Sequence, residues 1–184
     1  MAAPTTEFNE FDIVSLADAD LDTNAERLAI DSVISTGAGN ELDFGSVNIS
    51  GGQVDTDVKA MAWQVSSWGT NTQVENFRFY LSDNGFDQVG SVIKYVDWKL
   101  DATSEWEQSA TAPLAGEATL PETEPAQNIH QGGDGTTTYI TSVDDDTTEA
   151  IAMYVAVDGS ETAGTYKGTD SGFELQYTFA YDYF

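Results

Sequence analysis

The sequence predicts an all-β protein: an antiparallel β-sandwich, of the jelly-roll or Ig-like kind, with at most one short helix. Three observations predict this class. Apolar and polar residues alternate with a period of two in several segments, and turn signals rich in glycine, aspartate and asparagine separate those segments. A hydrophobic content of 40%, with 11% aromatic residues, supplies enough apolar surface for a core.

The clearest alternation covers residues 173–183 and predicts a long C-terminal strand. Its apolar face is predicted to consist of Phe173, Leu175, Tyr177, Phe179, Tyr181 and Tyr183. The same pattern predicts strands over residues 58–65, 74–81 and 149–157. The side chains expected on one face are Met61, Trp63 and Val65 in the first, Phe77, Phe79 and Leu81 in the second, and Ile151, Met153, Val155 and Val157, facing inward, in the third. Weaker alternation predicts strands over residues 8–14, 42–49 and 137–143.

Three other segments depart from simple alternation. Residues 92–100 are apolar on both faces, which is typical of a strand in the centre of a sheet. Thr23 and Glu26 have the spacing of a capping box before an apolar run ending at Ile34, and this pattern fits either a short helix or a strand. Residues 110–127 contain three prolines and several acids, and they predict a long surface loop.

The charge of the chain limits its partners. Six basic residues stand against 32 acidic residues, which gives a formal net charge of −26. Such a surface repels nucleic acid and anionic lipid, so neither is an expected partner, and no run of about 18 apolar residues predicts membrane insertion. The charge suits saline surroundings, divalent cations or both. The chain has no cysteine, so neither a disulfide framework nor a thiolate metal site is available.

The N-terminal sequence indicates secretion. Met1 is followed by Ala-Ala-Pro-Thr-Thr, which is typical of a mature secreted terminus to which a start methionine has been added. We therefore expect an extracellular or cell-surface location.

An acidic segment near the N-terminus is the first candidate calcium site. Oxygen-bearing side chains occur at every second position, the arrangement that lets one loop supply several ligands to Ca²⁺. The candidate ligands are Asp18, Asp20, Asp22, Asn24 and Glu26. A standard EF-hand is not expected, because Thr23 and Ala29 stand where that loop needs glycine and a bidentate glutamate, although Asp31 could close a non-standard site. The alternative is a solvated acidic loop.

A second candidate calcium site consists of Asp144, Asp145 and Asp146, which lie between two predicted strands. Three consecutive like charges repel one another, so they either bind a cation or remain in water as a hydrated turn.

No catalytic arrangement is evident, and we expect a non-enzymatic protein. His130 is the only histidine, and no nucleophile motif accompanies it. Trp68 and Trp106 lie in predicted loops and raise the alternative of a carbohydrate-binding module, provided both rings lie on one exposed face.

The sequence divides into an N-terminal extension, residues 1–16, and a single β-sandwich domain, residues 17–184. The extension contains a strand-like piece with Phe8, Phe11 and Ile13, and no tight turn joins it to the acidic segment that comes next. A strand on a long tether can pair with the sheet of a neighbouring copy, so this piece is a candidate donor strand for assembly.

Two motifs resemble parts of secreted β-sandwich fibre subunits. Leu42-Asp43-Phe44-Gly45-Ser46-Val47, followed by Gly51-Gly52, resembles the opening of extracellular Ig-like modules, and Ala163-Gly164-Thr165-Tyr166 resembles the closing segment of pilin-like sandwiches. Similar patterns occur in TasA-like fibre proteins and cannula-type tubule subunits. The resemblance implies a homopolymeric extracellular filament, tubule or lattice, assembled by donor-strand complementation with calcium as a candidate cofactor. A virion structural protein is the remaining alternative.

Overall fold

A computed structural model of the chain describes residues 2–11, 32–34, 42–98, 112–129, 139–141, 148–164 and 175–184. These residues form ten strands and no helix. The strands are β1 (Thr5–Phe11), β2 (Ser32–Ile34), β3 (Val54–Asp55), β4 (Lys59–Ser67), β5 (Gln73–Asn84), β6 (Val92–Trp98), β7 (Ala118–Thr119), β8 (Tyr139–Thr141), β9 (Thr148–Val157) and β10 (Leu175–Tyr183). The prediction of an all-β protein is confirmed for this part of the chain.

The strands form two antiparallel sheets. The larger sheet has the order β2-β1-β4-β9-β6-β7, with β3 also paired to β9, and the smaller has the order β10-β5-β8. The central neighbours of the larger sheet, β1 with β4, β4 with β9 and β9 with β6, come from distant parts of the sequence, as in the pairing of Met61 with Ile151. Tertiary contacts rather than short hairpins therefore determine its strand order.

One hydrophobic cluster contains residues of both sheets. Its buried members are Met61 and Val65 of β4, Val74, Phe77, Phe79 and Leu81 of β5, Ile93 and Tyr95 of β6, Ile151, Met153 and Val155 of β9, and Leu120 and Ile129. The aromatic rings of Phe79 and Tyr95 meet edge to face across it, with centroids 5.9 Å apart. The predicted inward faces of β4, β5 and β9 supply most of this core.

A bulge in β5 explains one break in the apolar alternation. Val74 and Phe77 are both buried although they are three residues apart. Between them Asn76 has a φ of 56°, and the pairing of β5 with β10 shifts register at this point. The extra residue returns the following side chains to the core face, so that Phe77, Phe79 and Leu81 continue the alternation.

The assignment of the strand buried on both faces needs correction. In β9 the residues from Ile151 to Ala156 are all buried, including Ala152 and Tyr154, which alternation placed on the outer face. β9 is central, since it pairs with β3, β4 and β6. β6, predicted to be central, does lie between β9 and β7 among the described strands. It is not buried on both faces, since Ile93 and Tyr95 are buried whereas Val92, Lys94 and Val96 are only partly buried.

Residues 42–49 form no strand, so that prediction is wrong. The carboxylate of Asp43 accepts a hydrogen bond of 2.8 Å from the backbone N–H of Gly45, whose φ is 76°. This local turn interrupts the extended run, as aspartate followed by glycine often does. Leu42 and Phe44 nevertheless pack against the core from this irregular segment.

Residues 112–129 are more than the surface loop that the prolines predicted. Leu114, Leu120 and Ile129 are buried, and residues 118–119 form β7. The backbone N–H groups of Leu81 and Leu120 donate to the carbonyls of Pro121 and Ile93, each at 2.8 Å. The segment therefore lies against β5 and β6 and covers part of the core.

The remaining strand predictions agree in position with the structure, with shifted ends. β8 lies within the predicted segment 137–143, and β1 begins three residues before the predicted 8–14. Within the segment left open between helix and strand, residues 32–34 are a strand. No helix among the described residues is long and apolar enough to cross a membrane.

Candidate assembly site

β1, the candidate donor strand, pairs with its own chain in this structure. It runs antiparallel to β4 from Thr5 opposite Ser67 to Phe11 opposite Ala60. On its other edge, within the part of the chain that the structure describes, β1 pairs only with the three residues of β2. Without β1, β4 would pair only with β9 among the described strands and would present an open edge.

β4 offers the acidic strand β1 a neighbour without negative charge. β1 carries Glu7 and Glu10, whereas β4 has no acidic residue and contains Lys59, one of only six basic residues in the chain. In a protein with a net charge of −26, most surfaces repel an acidic strand. An acid-free strand is therefore a favourable place for β1 to bind.

The corner between β4 and β5, residues 68–72, holds the segment that precedes β1. The backbone N–H of Asn71 donates to the carbonyl of Trp68 at 2.9 Å and closes a tight turn, in which Gly69 has a φ of 59°. The Asn71 side-chain Nδ2 donates to the carbonyls of Trp68, at 3.0 Å, and Ala2, at 2.8 Å. The corner thus contacts the chain three residues before β1 begins.

The end of β10 reaches the same corner. The backbone carbonyl of Phe184 accepts from the N–H groups of Thr72 and Gln73 at 2.7 and 3.3 Å, and the N–H of Phe184 donates to the Gln73 carbonyl at 3.0 Å. Segments from opposite ends of the sequence, at Ala2 and at Phe184, are therefore held by adjacent residues of one turn.

A buried carboxylate fastens a different part of the fold. Glu161 is only 5% exposed and accepts hydrogen bonds from the backbone N–H groups of Asp87 and Gln88 at 2.8 and 3.1 Å, and from the Ser91 hydroxyl at 2.5 Å. Ser91 Oγ accepts in turn from the Asp158 N–H at 3.0 Å. The bonds join the β5–β6 connection to the turn after β9, which indicates a structural role.

An ion-paired group lies on the polar side of β10. The two terminal nitrogens of Arg78 contact Asp182 Oδ1 at 3.3 Å, and Asn76 Nδ2 donates to Asp182 Oδ2 at 2.9 Å. Arg78 Nε lies 2.9 Å from Glu124 Oε1, an ion pair whose angle is not that of a hydrogen bond. The hydrogen bonds from Asn76 and then Arg78 lower the pKa of Asp182.

A buried tyrosine on β9 is joined to the 112–129 segment. The hydroxyl of Tyr154 donates to Glu117 Oε2 at 2.7 Å. Burial, followed by the hydrogen bond to Glu117, raises the pKa of Tyr154 far above its usual value. The group therefore stays protonated and acts as a donor at neutral pH.

The structure places only part of the predicted site. In β1, Phe8 lies opposite Trp63 of β4 and Ile34 of β2, and Phe11 lies opposite Ala60. Ile13 and all the predicted calcium ligands lie outside the described residues, as do Trp106 and His130. Trp68 is half-buried and packs against the core, so its ring is only partly accessible.

Sequence reasoning missed Asn71 and Glu161, since asparagine in a turn and glutamate in an acidic chain carry no distinguishing pattern.

Within the described ranges, no group of three or more histidine, cysteine, aspartate or glutamate side chains is arranged to hold a metal ion. Both predicted calcium clusters lie outside those ranges.

No protein-family model, curated protein or solved structure matches the chain.

Proposed function

We propose that the chain is a non-enzymatic structural subunit of an extracellular filament, tubule or surface lattice, in which copies join by exchanging β1. In this proposal the two sheets form a β-sandwich, and β1 of one copy occupies the edge of β4 in the next. Calcium bound by the two acidic clusters assists assembly by reducing repulsion between strongly negative copies.

The observation that carries the proposal is the position of β1. All seven of its residues pair with β4, and among the described residues only the three of β2 pair with its other edge. Residues 12–31 of the sequence separate it from β2. Exchange would replace each pairing within a chain by the same pairing between chains, so it costs few contacts and can repeat from copy to copy without closing.

Assembly can be tested on the intact chain. Concentrated protein is imaged by negative-stain electron microscopy in NaCl alone and in CaCl₂ of the same ionic strength. Filaments, tubules or sheets are expected, with calcium lowering the concentration at which they appear. Closed shells of uniform size would favour the virion alternative, and a protein that stays monomeric at high concentration with Ca²⁺ would contradict the proposal.

The role of β1 is tested by deleting residues 2–16. The deleted chain should not polymerise, and a synthetic peptide of residues 2–16 should bind to its exposed β4 edge. A peptide of the same composition in scrambled order is the matched control. Filaments formed by the deleted chain would show that another surface drives assembly.

The carbohydrate-binding alternative requires Trp68 and Trp106 together on an exposed face. Trp68 packs partly against the core, and Trp106 lies outside the described residues. The structure describes only one of the two rings, so this alternative stays a prediction.

A further inference from the structure

We infer that the β4–β5 corner, through Asn71, is the recognition site that sets the register of β1 on β4, whether β1 comes from the same chain or from a second copy. Where β1 comes from a second copy, the inference rests on the strand exchange proposed above. It adds a specific contact, between the Asn71 side chain and the residues just before the strand, to the pairing of the strands.

The pattern of β1 alone specifies register poorly. Its sequence, TTEFNEF, has two apolar residues three positions apart, so period-two alternation does not collect them on one face. A strand without a clear apolar face can slip along its partner by two residues at little cost. Some contact outside the strand must therefore select one register.

Asn71 provides such a contact. It is only 3% exposed, and its Nδ2 group donates to the backbone carbonyl of Ala2 at 2.8 Å. Its Oδ1 atom is buried and has no hydrogen-bond partner in the described part of the chain. A buried polar oxygen without a partner is unfavourable, and an apolar side chain of similar volume would avoid that cost. The contributions specific to asparagine are therefore the two bonds that Nδ2 donates, one to Ala2 and one within the turn to the Trp68 carbonyl, and only the bond to Ala2 reaches the segment before β1.

Pro4 and a bulge strengthen the selection. Pro4 is buried between exposed Ala3 and exposed Thr5, so a slip of β1 along β4 would move its ring from its buried position. The register shifts between Thr5 and Thr6, where the Ser66 hydroxyl donates to the Thr5 carbonyl at 3.3 Å. A slip of two residues would remove Ala2 from Asn71 and Pro4 from its buried position together.

Engineered disulfides can measure the register, because the chain has no native cysteine. Asn9 and Ala62 are direct partners, so Asn9→Cys with Ala62→Cys should cross-link, since opposed antiparallel residues lie about 4.5–5.5 Å apart. Asn9→Cys with Ala60→Cys or with Gln64→Cys is offset by two residues. Those pairs are separated by about 8 Å and should not close unless β1 slips.

Asn71→Ala should lower the ratio of in-register to offset cross-link roughly five- to tenfold, the factor that one hydrogen bond commonly contributes. Asn48→Ala, at an exposed asparagine, is the control and should leave the ratio unchanged. Circular dichroism verifies that each variant is folded. A folded Asn71→Ala variant that keeps the full in-register excess would overturn the inference.

Asn71→Leu, which keeps the side-chain volume and removes the Nδ2 donor, decides the matter if Asn71→Ala does not fold: loss of the in-register excess supports the inference, and an unchanged ratio overturns it. The mass of the cross-linked product tests the proposed function separately. If every in-register disulfide joins two residues of the same chain, strand exchange is rejected, but the role of Asn71 in setting the register is kept. If disulfides join different chains without preferring the in-register pair, strand exchange is supported and the role of Asn71 is rejected.

Discussion

The side chain of Asn128 pairs with both backbone groups of Phe79. Its Oδ1 accepts from the Phe79 N–H and its Nδ2 donates to the Phe79 carbonyl, both at 2.7 Å. The same Nδ2 donates to the Tyr95 hydroxyl at 2.9 Å, and the Asn128 backbone N–H donates to the Phe77 carbonyl at 3.2 Å. One amide side chain thus takes the place of a neighbouring strand where β8 does not extend along β5, a way of protecting an edge from further pairing.

Replacing Asn128 by alanine should therefore lower the free energy of unfolding by about 2–4 kcal/mol, because buried backbone and hydroxyl groups lose hydrogen bonds. Urea denaturation measures the change. Asn48→Ala, at an exposed asparagine, is the matched control and should change stability by less than about 0.5 kcal/mol. Equal losses of stability for the two substitutions would mean that the hydrogen bonds of the Asn128 amide do not stabilise the fold.

Tyr154 predicts a loss of stability in alkali. Its pKa is raised in the folded state, whereas in the unfolded chain it ionises near pH 10. Above pH 10 the unfolded state releases a proton that the folded state keeps, so stability falls as pH rises. Denaturation midpoints at pH 8 and pH 11 should differ more for the wild type than for Tyr154→Phe. The difference between the two proteins isolates this group from the other tyrosines, and identical pH dependence would contradict the assignment.

Asp182 predicts the opposite trend in acid. Its folded-state pKa is lowered, so its contribution is present above the unfolded value of about 3.9 and is lost as pH falls below it. Asp182→Asn should reduce the loss of stability between pH 6 and pH 3, as measured by urea midpoints. Asp43→Asn is a suitable control, at an exposed aspartate without a basic partner in the described contacts. An unchanged acid profile in Asp182→Asn would show that its bonds to Asn76 and Arg78 do not persist in solution.

The calcium hypothesis predicts stabilisation beyond screening. If Asp18, Asp20 and Asp22, together with the cluster at 144–146, bind Ca²⁺, the ion at a hundredfold over its Kd should stabilise the fold by about 2.7 kcal/mol. Thermal unfolding is compared in CaCl₂ and in NaCl of equal ionic strength. Changing either set of aspartates to asparagine should reduce the calcium-specific part. Equal shifts in the two salts would leave charge screening as the whole effect.

The sequence by itself determined the all-β class and most of the core, because period-two alternation is a local property. Met61, Phe79 and Met153 are buried as their alternation predicted. Local pattern was insufficient for β9, where burial of Ala152 and Tyr154 depends on what covers the second face of the sheet.

Only the tertiary structure decided the contacts that define the candidate site. Asn128 meets Phe79 across 49 positions and Asn71 meets Ala2 across 69, and no pattern of neighbouring residues encodes such partners. The pairing of β1 with β4 is of the same kind, since a strand's sequence states its tendency to extend but not which edge it joins. Strand order and register depend on distant groups that satisfy one another's hydrogen bonds only after the chain has folded.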